Sequence, residues 1–178
     1  MQENRQPAPL ARQSESSRYL NIARSQRISD NGSAIENYGK AITCAQKENN
    51  PQALTAILCE GYCLAAKWAQ TLSNNGEMTK AKDYYVLAAI WAESAKRMQI
   101  SRQYYKSAAM LCKAHVIALD KSMTITDYTF DKMVDLCNEG IKYAGKSGDV
   151  KIAEDIGFMR KMMIMGRGIS HMGLGKRD

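Results

Sequence analysis

The chain has 178 residues, 45% of them hydrophobic and 24% charged, with a formal net charge of +7. A chain this long buries roughly 70% of the surface its unfolded form exposes, so it sustains one self-sufficient domain without disulfide or metal staples. No run of about eighteen consecutive apolar residues occurs, and the first residues, MQENRQPAPLARQSESS, lack the apolar core of a secretory signal, so the sequence reads as soluble and cytoplasmic.

The charge is uneven: +2 over residues 1–30, +1 over 31–141 and +4 over 142–178. Excess positive charge therefore lies at the ends, which confines any nucleic-acid footprint to the tails. Arg5, Arg12, Arg18, Arg24 and Arg27 along a Ser-rich start have the spacing of a mitochondrial transit peptide, against which Glu3 and Glu15 count. The five cysteines, Cys44, Cys59, Cys63, Cys112 and Cys137, are odd in number and fall inside helical patterns, so they read as small buried apolar residues.

Residues 1–13 have the composition of a disordered tail. A first helix is predicted from Ser14 or Glu15 to Ile28, with Tyr19, Ile22 and Ala23 inward, and Ser29–Ser33 breaks it. A second carries the stripe Ala34, Tyr38, Ala41 and Ala45 and stops near Glu48–Asn50. Asn50 caps a third, with Pro51 in its first turn, Leu54, Leu58, Tyr62, Ala65, Ala69 and Leu72 on one face, and Gly76 at its end. The fourth, within Gly76–Ala95, bears two stripes: Ala81, Tyr85, Ala88, Ala92 and Ala95, then Tyr84, Leu87 and Trp91. A turn at Gln99–Ser101 leads to a fifth helix with Tyr104, Ala108, Leu111, His115 and Ala118 on one stripe and Tyr105, Ala109, Cys112, Val116 and Leu119 on another. Ser122–Thr126 connects it to a sixth carrying Phe130, Val134, Cys137, Ile141 and Ala144. A seventh runs from Asp149 to about Met165, within a helical domain of residues 14–165. Residues 166–178 form a flexible, basic, Gly-rich tail.

No segment alternates with period two, so the expected fold is all-α, about seven antiparallel helices. Ala34/Tyr38/Ala41 and Ala81/Tyr85/Ala88, with Gly76 five residues before Ala81, together with Ala65, Trp68, Ala69 and Leu72, resemble the packing positions of the tetratricopeptide repeat (TPR). Gly148 and Ala153 echo the spacing, though Gly157 replaces the aromatic. The two good matches lie 47 residues apart rather than at the repeat's own period, which resembles a divergent, long-helix stack of the SNAP-adaptor type. The resemblance implies a right-handed TPR-like α-solenoid that binds protein; an irregular helical bundle is the other architecture the stripes allow.

Chemistry is thinly represented. Gly140–Ser147, GIKYAGKS, fits the phosphate-loop pattern, but its own helical stripe leaves no strand to support the loop. Cys59/Cys63 and Cys112/His115 have helical metal-ligand spacing, yet Cys59 and Cys63 flank the stripe of an apolar helix and His115 lies on the stripe of its own, where structural Cys and His are commoner. With only His115 and His171 in the chain, no catalytic set can be nominated, and the reading is no enzyme, no cofactor and no metal.

In the last helix Ile152, Ile156, Met159 and Met163 form one stripe and Phe158, Met162 and Met165 another. The outer, Met-rich stripe reads either as a docking face for another protein or a second copy, or as the seat of the N-terminal segment or the first helix. The leading expectation is a non-enzymatic adaptor, a subunit of a larger complex, that uses Tyr84, Trp91, Met159, Met162, Met163 and Met165 against its partner. The alternative is a nucleic-acid-associated viral or ribonucleoprotein component contacting anions through Arg160, Lys161, Arg167, Lys176 and Arg177; the tail's lack of aromatic residues argues against base stacking.

Overall fold

The structure, a computed structural model, describes residues 13–121 and 125–173, with residues 168–173 described by backbone alone. Among the described residues there are seven helices and no strand: α1 (Glu15–Gln26), α2 (Asn31–Lys47), α3 (Pro51–Asn74), α4 (Met78–Ser94), α5 (Met98–Asp120), α6 (Asp127–Ser147) and α7 (Val150–Gly173). The fold is all-α. The chain parts into two compact units, Met1–Ile57 and Leu58–Asp178, and the division falls inside α3.

In the first unit α1 and α2 pack together. The Ser14 hydroxyl accepts from the Ser17 N–H, and Asp30 caps α2 through the Ser33 N–H, satisfying donors that a helix start otherwise leaves open. Ala23, Ala34, Tyr38, Ala41 and Ala45 are buried as their stripes require. Glu48, just past α2, accepts from both the N–H (3.0 Å) and the hydroxyl (2.5 Å) of Ser16. The first helix is shorter than its pattern predicts, because Asp30 recruits Asn31, Gly32 and Ser33 into α2 and leaves Ile28 in solvent.

In the second unit α4 packs on α5, α5 on α6 and α6 on α7, and α7 also meets α5. Ala69, Tyr85 and Ala108 bring α3, α4 and α5 together, and the Tyr85 hydroxyl lies 2.9 Å from Gln70 Oε1. A second core joins α5, α6 and α7 through Ala109, Cys112, Val116, Met133, Leu136, Cys137, Ala144, Ile152 and Ile156. Gly76 (φ 81°) and Gly148 (φ 77°) take the left-handed conformation that closes α3 and α6. The break between α4 and α5 lies at Ala95–Arg97 rather than at Gln99–Ser101, and Lys96 (φ 59°) adopts the left-handed turn there without a glycine. Residues 122–124 of the expected connection lie outside the described residues; Thr126 caps α6 through the Thr129 N–H. The seventh helix continues beyond Met165 to Gly173, well into the segment that its glycines mark as a flexible tail.

Candidate functional site

α7 carries apolar side chains on two opposite faces. Ile152 and Ile156 are buried, and Met159 and Met163 are half-buried against the same core. One hundred degrees per residue then turns Phe158, Met162 and Met165 outward, where they are 65%, 51% and 50% exposed. Of the Met residues expected against a partner, Met162 and Met165 lie on this outward face, whereas Met159 and Met163, on the stripe of Ile152 and Ile156, pack against the core.

Charges are distributed along this outer face with a polarity. Glu154 and Asp155 precede Phe158, and the exposed Lys161 follows it. Lys113 of α5 reaches Asp155 at 2.8 Å, and that hydrogen bond is the chief reason the Asp155 carboxyl is held below its usual range. Lys106 does the same to Asp149, which also accepts the N–H of Ile152 as the cap of α7. Beside these contacts, Lys113, Glu154, Asp155, Phe158 and Met159 line a groove of about 450 Å³ between α5 and α7.

The basic residues nominated for anions are placed differently from one another. Arg167 pairs with Asp127 and Asp131 of α6 and lies 4.3 Å from the centre of the Phe130 ring, so its charge is already engaged. Arg160 is half-buried, with its Nε enclosed and without a hydrogen-bond partner, while Lys161 is exposed. Lys176 and Arg177 lie outside the described residues.

Tyr84 and Trp91 do not form an open face. Trp91 is buried, and Tyr84 is half-buried against the α3–α4–α5 core. The helix is covered on both sides, as its double stripe implies, which makes these aromatics part of the packing. Tyr62 and Tyr104 likewise meet with ring centres 6.2 Å apart, and Tyr105 stacks on Tyr143 at 6.2 Å.

Gly140–Ser147 lies in α6. Its first glycine is a close-packing point: a Cβ on Gly140 would stand 2.9 Å from Ile156 Cδ1 and 3.1 Å from Cys112 Cβ. Cys112 is buried, and burial pushes its thiol up to about 12; Cys137 beside it is raised for the same reason. His115 is half-buried, and burial followed by the charges of Lys132 and Lys82 lowers its pKa, which favours the neutral imidazole. Among the described residues no group of three or more His, Cys, Asp or Glu is arranged to hold a metal ion, and no helix is long and apolar enough to cross a membrane.

Lys82 was not singled out by its pattern. It sits on the buried side of α4, and its Nζ is 2.5 Å from Glu139 of α6 and 3.3 Å from Asp83. Burial pulls its pKa down, but the Glu139 hydrogen bond and the two nearby carboxylates outweigh that and raise it. A lysine directly after Ala81 in a helix offers one sequence signal, a charge next to a small-residue stripe, and nothing more specific.

No protein-family model matches this chain, and no curated protein does. The crystal structure of BtubC (BKLC) from P. vanneervenii is similar to it at 14% identity and a TM-score of 0.32, over 86% of this chain. The chain spans 64% of that protein's length. A likeness this faint carries no argument about fold or function.

Proposed function

We propose that this chain is a non-enzymatic adaptor or scaffold that works by binding protein, with the outer face of α7 as its docking surface. The observation that carries the reading is the exposure of Phe158, Met162 and Met165 on a helix whose opposite face already fills the core. A helix needs only one apolar stripe to stay folded; a second, outward row of one aromatic and two adaptable thioethers serves recognition. A right-handed TPR-like solenoid is the architecture that goes with this function. Supporting it in the second unit are the ties between helices two apart in sequence order, Lys82–Glu139 from α4 to α6 and Lys113–Asp155 from α5 to α7, and the burial of Ala81, Tyr85 and Ala88. The proposed site of action is the cytoplasm.

The experiment is capture from native extract on immobilised chain, with and without nuclease and at low and high salt. A defined protein that survives nuclease and high salt on the native chain, and is lost with Phe158→Glu, supports the reading. Release by nuclease or salt alone overturns it in favour of a charge-driven nucleic-acid association.

A further inference from the structure

We infer that the outer face of α7 is built to pair antiparallel with α7 of a second copy of this chain; the inference rests on that face being a protein-docking surface and names its occupant. On the exposed arc of α7, Lys151 begins the row, and Glu154 and Asp155 lie one turn before Phe158, with Asp155 already paired to Lys113. Lys161 lies one turn after Phe158, which leaves Glu154 and Lys161 as the charges free to face a second copy. Two such helices crossing antiparallel at Phe158 place Glu154 of each copy opposite Lys161 of the other, so one pair of residues generates two contacts of opposite sign. A parallel pairing in register sets like charges against each other instead. The face is thus complementary to its own reverse.

Shape agrees with charge. Phe158 stands 65% exposed at the lip of the α5–α7 groove, whose other lining residues are Lys113, Glu154, Asp155 and Met159. A two-fold axis passing near Phe158 brings each ring over the other copy's groove, where Met159 offers an apolar floor. Met162 and Met165 then cover the aliphatic stems of Glu154 and Lys151 across the axis. Because one helix face contributes most of the contact, the area belongs to the small class of specific interfaces, and the association is concentration-dependent.

Sedimentation equilibrium on the full chain, across a range of concentrations at physiological salt, tests this. The native chain forms a dimer. Glu154→Lys alone and Lys161→Glu alone each place two like-charge contacts in the homodimer and weaken it by about tenfold or more. Mixing these two variants restores association, because in the mixed dimer both facing pairs are again of opposite sign. Phe158→Glu abolishes the dimer while the circular dichroism spectrum is retained, since the side chain is outside the core. A chain that stays monomeric, a dimer indifferent to Phe158→Glu, or a mixture that fails to restore association overturns the inference. In those cases, protein capture from extract that still depends on Phe158 leaves the docking reading standing, whereas capture indifferent to Phe158 removes both.

Discussion

Gly140 and Ile156 meet so closely that α6 and α7 have no room for a methyl group between them: a Cβ at position 140 would lie 2.9 Å from Ile156 Cδ1, with Cys112 Cβ of α5 at 3.1 Å. The glycine that begins an apparent phosphate loop is therefore the point where three helices converge. Alanine would favour α6 by about 1 kcal/mol through helix propensity, but overpacking a filled site costs about 1–3 kcal/mol. Ile156 is fully buried, and Cys112 Cβ is fixed to its backbone, so neither yields readily. Gly140→Ala is expected to lose up to about 2 kcal/mol net in urea unfolding. Removing Cδ1 with Ile156→Val, which alone costs about 0.5–1.5 kcal/mol, should make the double variant more stable than the two losses added together. Strict additivity would mean that α7 shifts to admit the methyl.

The Lys82–Glu139 pair makes a different kind of demand. Lys82 is buried, whereas the Glu139 side chain keeps 42% of its surface in water. Removing one partner of a fully buried pair costs about 3–5 kcal/mol. Solvent at Glu139 reduces this, and Glu139→Gln is expected to cost about 1–2 kcal/mol. Lys82→Met removes the buried charge and keeps the length of the chain, so it should be near neutral or stabilising. Equal losses for the two variants, measured by thermal melting, would show instead that Lys82 is well solvated.

Trp91 decides whether the aromatics of α4 belong to the packing or to a partner. Its burial places it in the packing, and Trp91→Ala should destabilise the chain by about 3–5 kcal/mol. The check is the melting temperature of the purified variant. A variant that melts like the native chain and yet loses a protein partner would return Trp91 to the interface.

These cases show which levels of the structure were legible in the sequence. Small-residue stripes such as Ala34/Tyr38/Ala41 and Ala81/Tyr85/Ala88 marked buried faces correctly, because a 3.6-residue period is a local property. Asn50 and Gly76 marked helix boundaries through their own backbone chemistry. Lys96 did not, because an ordinary residue held in the left-handed region by its surroundings leaves no trace in composition. The continuation of α7 past Met165 was hidden for a related reason. Arg167 is drawn to Asp127, Asp131 and the Phe130 ring on α6, contacts across forty residues of sequence that offset the low helix propensity of Gly166 and its neighbours. The two stripes of α7 were readable, but which of them the core would take depended on where α5 and α6 ended up.

In the first unit, the carboxylate of Glu48 ties the end of α2 to the first turn of α1, where it also meets the positive end of the α1 dipole. The Ser16 hydroxyl, and then the Ser16 N–H, hold its pKa below the usual carboxylate value. A group whose folded pKa is lowered contributes stability that is fully present above its unfolded pKa and disappears as the pH falls through the folded one. Glu48→Gln can still accept a hydrogen bond from Ser16 but lacks the charge. Its melting temperature should therefore fall below that of the native chain at neutral pH, and the gap should close on acidification through the carboxylate range. Asp30, Asp149 and Asp155 are lowered too, so both proteins lose stability in acid, and only the difference between them reports on Glu48. Ser16→Ala, which removes the largest cause of the shift, should move the closing of that gap to higher pH. A gap that stays constant from neutral to acid would mean that the Glu48 charge does not hold the two helices together.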